Sequence, residues 1–312
     1  METHVIVGAG QVGSATALLL AQSDRRVLLV SRSGSGPDHP NIEKVAADGA
    51  DRATMLRLSV GAEAIYNCAN PAYHRWPTDW PPIASSLLQA AKECGAVLVT
   101  LSNLYSYGPV DHPMKEDDEL AATGVKGRVR ARMWEEAKAA YDSGQVRATE
   151  ARASDFFGPG ETSSHFGRMI PRVLAGKTVR VIGNPDVPHS WTYVPDVART
   201  LVTLARDERA WGSAWHVPTN PPLSQREAVA ALAELAGLPT PEVRGIPGWV
   251  IRVLGVASPM LRELPEVAYQ LERPFVLDSS AVTETFGLEP TPMNEALAAT
   301  LAAESPPPQR EV

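Results

Sequence analysis

The chain has little cysteine and no long apolar run, and both absences limit what it can be. Cys68 and Cys94 are the only cysteines among 312 residues. A disulfide-rich secreted scaffold is therefore excluded, and a reduced, cytoplasmic protein is expected. No run of 18 apolar residues occurs, so no membrane span is expected. The first predicted strand begins within a few residues of Met1, so we also expect no signal peptide.

An excess of positive charge and the spacing of metal ligands are missing as well. The formal net charge is −7, which argues against nucleic acid as the main partner. The seven histidines form no H-E-x-x-H motif and no paired spacing, and we predict no metal site. The chain is long enough to bury a large core, as one large domain or two closely packed ones.

What is present begins with an apolar strand, a glycine-rich turn and an Ala/Leu-rich helix. The turn reads Gly8-x-Gly10-x-x-Gly13. Gly8 permits the tight turn, Gly10 lets a pyrophosphate approach the backbone, and Gly13 lets helix and strand pack closely. Gln11 and Val12 open the helix, whose free N–H groups suit phosphates. We predict a dinucleotide-binding site; the alternative is a glycine-rich turn without a ligand.

The end of the second strand indicates which dinucleotide is bound. NAD sites usually place Asp or Glu there, on the ribose hydroxyls, whereas this chain has Ser31-Arg32-Ser33. Arg32 is a planar donor suited to a 2′-phosphate, and the two serines can add hydroxyl donors. The sequence therefore favours NADP over NAD. Alternatively, Arg32 is a solvated loop residue.

Polar residues also follow the third and fourth predicted strands. Asp48 either meets the adenine amino group or caps the next helix. Asn67, Ala69 and Asn70 lie where an open parallel sheet places its ligand, at the carboxyl end of a strand. Tyr73 follows in a loop that could touch nicotinamide or substrate.

The rest of the chain alternates strands and helices until about residue 160, after which the alternation loosens. We expect an α/β fold with a Rossmann-type doubly wound parallel sheet and a smaller C-terminal α/β substrate lobe. The NADP-binding part would span 1–160 plus about 188–210, the substrate lobe about 161–187 and 211–303, and a flexible tail 304–312. The later predicted helices are 81–94, 127–143, 164–175, one opening near 194, 224–236, 248–256 and 293–303.

Further motifs carry a family resemblance. Ser102-Asn103-x-x-x-Tyr107-Gly108 follows the fifth strand, Phe157-Gly158-Pro159-Gly160 follows the sixth, and the stretch 189–198 begins His-Ser-Trp-Thr-Tyr. Together with the nucleotide turn and Asn67-Cys68-Ala69, these motifs resemble those of the extended short-chain dehydrogenase/reductase superfamily, especially its NAD-dependent epimerase/dehydratase-like branch. The resemblance covers about residues 3–300. The resemblance implies nicotinamide chemistry. It leaves open whether helices 81–94 and 127–143 form a homodimer interface.

The chain departs from that superfamily in its catalytic motif. The resemblance implies Tyr-x-x-x-Lys on the helix after the fifth strand and Ser or Thr at the strand end. No Tyr on that helix is followed four residues later by Lys, and Arg128 and Arg132 fill the two positions. Asn103, with Ser102 beside it, fills the Ser/Thr position. The chain is therefore an atypical member, and the usual mechanism does not carry over.

Other side chains could carry the chemistry. Tyr105 and Tyr107 follow the fifth strand, the right region for a proton donor, although packing also explains them. Arg128 or Arg132 could bind a carboxylate or an enolate oxygen, or could form a solvated helix face. Asp155 could be a base if desolvation raises its pKa, or could cap the backbone. A substrate wall or core packing would account for the aromatic residues Trp134, Phe156, Phe157, Trp191 and Tyr193.

Three functions follow from these patterns. The leading one is an NADP(H)-dependent oxidoreductase acting on a small carbonyl, enone or sugar-like substrate, with Tyr105, Tyr107 or a substrate-bound water supplying the proton. A non-catalytic NADP(H)-binding redox sensor is the alternative from a different class. The third is an NAD-dependent epimerase or isomerase that retains its nicotinamide.

Overall fold

The computed structural model describes residues 1–246, 250 and 259–304. The helix expected at 248–256 therefore falls, apart from residue 250, outside the described residues. Residues 305–312 of the expected tail lie outside them too.

A seven-stranded parallel sheet forms the centre of the molecule, in the order β10-β6-β5-β4-β1-β2-β3. The crossover between β1 and β4 is the switch point at which dinucleotides bind in doubly wound sheets. The predicted Rossmann-type fold is confirmed. The strands are β1 Thr3–Val7, β2 Arg26–Ser31, β3 Ile42–Ala46, β4 Ala62–Asn67, β5 Val97–Asn103, β6 Arg147–Ala153 and β10 Ala214–His216.

Eleven described helices accompany the sheet, with short 3₁₀ turns at Tyr73–Arg75, Tyr105–Tyr107 and Glu208–Ala210. None of the described helices is long and apolar enough to cross a membrane. The helices are α1 Gln11–Gln22, α2 Arg52–Ser59, α3 Trp76–Cys94, α4 Val125–Asp142, α5 Ile170–Leu174, α6 Val194–Arg206, α7 Gln225–Leu235, α8 Pro259–Val267, α9 Tyr269–Glu272, α10 Ser280–Phe286 and α11 Met293–Glu304.

Both faces of the sheet are covered, which explains its continuous apolar strands. Successive strand residues point to opposite faces, so Val5 and Ile6 enter different hydrophobic clusters. Ile6 packs with residues of α1 and α6, including Leu20 and Leu201. Val5 packs with residues of α2, α3 and α4, such as Leu87. Burying each such side chain contributes roughly 1.5–3 kcal/mol.

A second core lies beyond the large sheet. Two small parallel ribbons border it: β7 Asp155–Phe157 with β9 Trp191–Tyr193, and β8 Val179–Ile182 with β11 Val243–Ile246. Helices α5, α7 and α11 contribute buried side chains to it. Ser224 and Glu227 form the capping box expected at the start of α7.

Two helices differ from the predicted bounds by five residues or more at one end. Helix α3 begins at Trp76 rather than at 81 because the Arg75–Asp79 ion pair supports an additional first turn. Helix α5 is much shorter than the predicted 164–175. The Glu161 carboxylate accepts hydrogen bonds from the Ser163 and Ser164 N–H groups and holds that segment in turns.

Strand register brings the candidate residues to one edge of the sheet. Val7 lies opposite Val30 and Asn67, and Asn103 lies opposite Ala153. The residues that follow these positions meet at the carboxyl ends of the strands, where ligands bind in open α/β sheets.

Candidate functional site

The glycine turn between β1 and α1 is shaped for a close ligand. Gly8 has φ +109°, and a Cβ there would clash with the Cys68 carbonyl; one at Gly13 would clash with the Gly8 carbonyl. A Cβ at Gly10 would meet no described atom within 4 Å. Gly10 is also the N-cap of α1 and has no side chain to occupy the free N–H groups of the first turn. The turn therefore fits a dinucleotide pyrophosphate.

Gln11 crosses from this turn to the segment after β7. Its Nε2 donates a hydrogen bond to the Gly160 carbonyl over 2.5 Å. The neighbouring Val12 is buried in the core. The turn is thus attached to the Phe-Gly-Pro-Gly segment on the other side of the cleft.

The loop after β2 contains one cationic side chain, Arg32, that has no partner in the described part of the chain. Ser31 Oγ accepts from the Ser35 N–H at 3.0 Å, and the Ser33 and Ser35 hydroxyls are 2.8 Å apart. The serines therefore hold the loop together. Arg32 is exposed and has no hydrogen bond or ion pair with the described part of the chain.

The residues after β3 and β4 are placed differently from one another. Asp48 is exposed and accepts a hydrogen bond from the Ala50 N–H; Asp51, not Asp48, caps α2. Asn67 is buried, and its side-chain oxygen has no partner among the described residues. Ala69 is half-buried and Asn70 is exposed.

Two tyrosines meet beyond β4 and β5. The hydroxyl oxygens of Tyr73 and Tyr105 are 2.5 Å apart. Burial raises the pKa of Tyr73 to about 12 and that of Tyr105 well above its usual value. Both hydroxyls are therefore neutral at pH 7 and able to donate a proton. Asn103 Oδ1 accepts the Tyr105 N–H at 3.2 Å and shapes this turn, and the nearby Ser102 is buried with a partnerless hydroxyl.

Helix α4 presents two cations to this tyrosine pair. Lys126 Nζ, in a side chain that is 1% exposed, lies 2.6 Å from Glu263 and 2.9 Å from Glu266 of α8. It also lies 5.5 Å from the centre of the Tyr73 ring. The Arg130 guanidinium lies 4.2 Å from the Trp80 ring and 4.8 Å from the Trp76 ring.

The structure does not bring Arg128 and Arg132 to the cleft. Both are on the exposed face of α4, and Arg128 donates to the Thr123 carbonyl. Sequence reasoning missed Lys126 and Arg130. The available signal was their helical spacing from the buried Met133 and Ala137, which puts all four on one face.

Tyr107 lies in a buried network instead of at the tyrosine pair. Arg152 Nη1 donates to its hydroxyl at 2.7 Å, and that hydroxyl lies 2.7 Å from His216 Nε2. His216 Nδ1 lies 2.7 Å from the Asp278 carbonyl, which can only accept. Nε2 is then the acceptor of a hydrogen bond that the Tyr107 hydroxyl donates.

An acidic and an imidazole side chain lie next to Tyr105. Asp155 Oδ2 is 3.0 Å from His189 Nε2, and His189 Nδ1 is 3.1 Å from the Gln270 carbonyl. The Gln270 side-chain amide donates to the Tyr105 hydroxyl at 3.4 Å. Sequence analysis offered no signal for Gln270.

The aromatic candidates serve mainly as packing. Trp191 and Tyr193 lie in the second core, and Phe156 is half-buried against the sheet. The Trp191 ring is also 4.4 Å from that of His189. No group of three or more His, Cys, Asp or Glu side chains that could hold a metal ion occurs in the part of the chain that the structure describes.

The family model of the NAD dependent epimerase/dehydratase family matches residues 4–216. The chain belongs to this family. The resemblance drawn from the motifs is thereby confirmed, and the epimerase/dehydratase family implies an enzyme with a nicotinamide cofactor. No curated protein matches the chain significantly.

Solved structures similar to this epimerase/dehydratase family member cover nearly the whole chain. dTDP-glucose 4,6-dehydratase from Bacillus anthracis in complex with NAD is 18% identical, with a TM-score of 0.80 over 97% of this chain and 96% of that one. An epimerase from Methanothermobacter thermautotrophicus is 17% identical, with a TM-score of 0.81 over 97% and 91%. UDP-glucose 4-epimerase from Thermotoga maritima with UDP-glucose is 19% identical, with a TM-score of 0.78 over 97% and 98%. At these identities the likeness shows the fold.

Proposed function

We propose that the chain is an NADP(H)-dependent oxidoreductase that reduces a small carbonyl compound. The observation that carries the proposal is the buried Tyr73–Tyr105 hydroxyl pair beyond β4 and β5. This is the half of the sheet, past the switch point, that receives the nicotinamide end of a dinucleotide. The nicotinamide, when bound, supplies the hydride.

Tyr105 supplies the proton in this proposal. Burial raises its pKa well above the usual value, so it is protonated at neutral pH and is a weak acid. It can protonate the strongly basic alkoxide oxygen that forms when a carbonyl is reduced, which suits reduction of a carbonyl more than oxidation of an alcohol. Tyr73 can return a proton to the Tyr105 oxygen through their hydrogen bond. Lys126 and Arg130 place positive charge beside the pair, and Arg130 lowers the pKa of Tyr73 against the larger effect of burial. A tyrosine after β5 thus takes the place of the missing tyrosine, without a lysine that lowers its pKa.

The carbonyl test uses NADPH consumption. We expect Tyr105→Phe to lower kcat/KM for carbonyl reduction by roughly 100-fold or more, the scale of general acid catalysis. Tyr141→Phe, near the end of α4 and lining a groove with Gly95 and Arg147 at the other edge of the sheet, is the matched control and should leave the rate unchanged. Full activity of Tyr105→Phe would contradict the role of Tyr105.

The preference for NADP rests on the loop after β2. Arg32 is an exposed guanidinium without a partner in the described chain, and the loop 31–36 contains no carboxylate. The dehydratase named above was solved with NAD, but at 18% identity its loop is not a guide to this one.

A substitution of Arg32 tests the preference for NADP. Arg32→Ala should weaken NADPH binding by ~1.5–3 kcal/mol, the scale of a charged hydrogen bond, and NADH binding much less. Arg26→Ala removes a guanidinium at the other end of β2, where it pairs with Glu43, and should change neither. Nucleotide fluorescence titration of cofactor-stripped protein measures both, and equal losses for the two nucleotides would contradict the preference.

Family membership supports one second candidate, an epimerase or dehydratase that retains its nicotinamide. Tightly bound NAD in the purified protein, with isomerisation of a nucleotide sugar, would favour it. Tight NADPH binding without reduction of any carbonyl would favour the redox sensor. A homodimer and a cytoplasmic location stay predictions of the sequence.

A further inference from the structure

Asp155 and His189 form a pair at the edge of the cleft beside Tyr105. Asp155 opens β7, and His189 precedes β9, the strand that pairs with β7. The two side chains approach to 3.0 Å. His189 is 1% exposed and Asp155 24%, so the carboxylate is the member of the pair that a ligand can reach.

The surroundings of His189 fix the nitrogen that carries its hydrogen. The Gln270 carbonyl can only accept, so His189 Nδ1 carries the hydrogen that lies between them. Nε2 then faces Asp155 Oδ2 at 3.0 Å, and neither atom makes a hydrogen bond within the described residues. The imidazole therefore lies beside the carboxylate without occupying its hydrogen-bonding capacity.

Asp155 is available as an acceptor. Burial raises the pKa of Asp155, but the neighbouring His189 outweighs it and leaves the pKa below its ordinary value. The carboxylate is therefore ionised at neutral pH. Its other oxygen, Oδ1, has no hydrogen bond to the described chain.

Gln270 connects this acceptor to the proposed proton donor. Its carbonyl orients His189, and its side-chain amide contacts the Tyr105 hydroxyl. The rings of Trp191 and Phe275 lie 4.4 and 5.4 Å from that of His189 and restrict its rotation. The Asp155 carboxylate and the Tyr105 hydroxyl are therefore held at a fixed distance from each other.

The other charged side chains near the pair have partners of their own. Glu263 and Glu266 lie against Lys126, and the Arg130 guanidinium lies over the Trp76 and Trp80 rings. Asp155 therefore offers one hydrogen-bond acceptor beside the place of proton transfer.

We propose that Asp155 determines specificity by accepting a hydrogen bond from a hydroxyl group next to the carbonyl that Tyr105 protonates. The substrate class is then hydroxycarbonyl compounds. His189 and Gln270 are positioning residues that hold the carboxylate and the tyrosine. This inference rests on the proposed function and names its substrate class.

The experiment compares a 2-hydroxyketone with the ketone of equal chain length that lacks the hydroxyl. We expect wild-type kcat/KM to favour the hydroxyketone by about 10–100-fold, the scale of a hydrogen bond to a charged group. In Asp155→Asn the ratio should fall to within about threefold, chiefly through KM. Asp142→Asn, an exposed residue paired with Lys138 at the end of α4, is the control and should keep the wild-type ratio.

His189 variants test the positioning role. His189→Gln keeps a polar amide beside Asp155 and should retain a large part of the preference, whereas His189→Phe should lose it. Equal loss in both variants would show that His189 acts through packing alone and would overturn its positioning role.

The remaining outcomes separate the inference from the function on which it rests. Equal wild-type kcat/KM for the two ketones overturns the inference while carbonyl reduction stands. Preference for the 2-aminoketone over the hydroxyketone overturns the assignment of a hydroxyl group as the partner of Asp155. If no carbonyl compound is reduced, the proposed function fails. The inference is then tested by calorimetric measurement of ketone binding to the NADPH-loaded protein. Hydroxyketone binding that Asp155→Asn abolishes supports the inference, and equal binding of both ketones overturns it.

Discussion

At the scale of single residues, Tyr105 and Tyr107 differ in what their hydroxyls contact. The Tyr105 hydroxyl meets Tyr73 and the Gln270 amide just after β5. The Tyr107 hydroxyl is held between Arg152 and His216, away from solvent. One is therefore placed for proton transfer and the other for stability.

Removing the Tyr107 hydroxyl should affect folding and not ligand binding. Tyr107→Phe leaves Arg152 Nη1 and His216 Nε2 without a partner in a buried site. The free energy of unfolding should fall by about 1–3 kcal/mol, measured by urea denaturation, with NADPH affinity unchanged. A variant as stable as the wild type would show that these two groups find other partners.

At the scale of elements, the three glycines of the β1–α1 turn have separable roles. Gly13→Ala places a Cβ against the Gly8 carbonyl and should destabilise the unliganded protein by about 1–3 kcal/mol. Gly10→Ala meets no described atom. It should keep the free energy of unfolding within about 1 kcal/mol of the wild type but weaken dinucleotide binding strongly. Thermal unfolding without cofactor, followed by NADPH titration, tests both, and normal NADPH affinity of Gly10→Ala would contradict the pyrophosphate position.

The Lys126 side chain is one of the contacts that hold α8 against α4. Lys126→Met leaves Glu263 and Glu266 without their cation. Breaking a fully buried ion pair costs about 3–5 kcal/mol, and these half-buried acids should cost less, about 1–3 kcal/mol. Amide hydrogen exchange across α8 should therefore speed up. Lys138→Met on the exposed side of α4, where Lys138 pairs with Asp142, is the control and should leave α8 unaffected.

The same elements show what the sequence could and could not predict. The first six strands of the central sheet and the nucleotide turn were predictable because strand-length segments and glycine spacing are local signals, whereas the short strand β10 was not predicted. The phase of α4 was missed, since Arg128 and Arg132 were assigned by motif position while Lys126 and Arg130 follow the buried stripe. Gln270 could not be predicted, because it reaches Tyr105 only through the tertiary fold.

At the scale of the whole molecule, buried imidazoles make stability depend on pH. Burial lowers the pKa of His4 from 6.5 to about 4 and also lowers the pKa of His165 and His216. The His4 imidazole of the unfolded chain then binds a proton near pH 6.5, whereas that of the folded protein binds it only near pH 4. This contribution is complete above pH 6.5 and is lost as the pH falls towards 4.

His4 alone should account for up to about 3 kcal/mol of that loss. The free energy of unfolding of His4→Gln should therefore fall less steeply than that of the wild type between pH 6.5 and 4, as measured by urea denaturation at each pH. The exposed His74→Gln is the control. Parallel pH profiles of His4→Gln and wild type would contradict the assignment.

The division of the chain near residue 160 stays a prediction.

The contact between Gln270 and Tyr105 joins positions that are 165 residues apart, and this separation sets an order of events on the ribosome. All seven strands of the central sheet have been synthesised by His216, whereas Glu263, Glu266 and Gln270 come later. At the usual rate of 5–20 residues per second, the interval is roughly 3–10 seconds. A nascent chain can therefore complete the strands of its central sheet before Gln270, which orients the proposed proton donor, is synthesised. In the proposed function, a product truncated after β10 would lack the contact that orients Tyr105 for proton transfer.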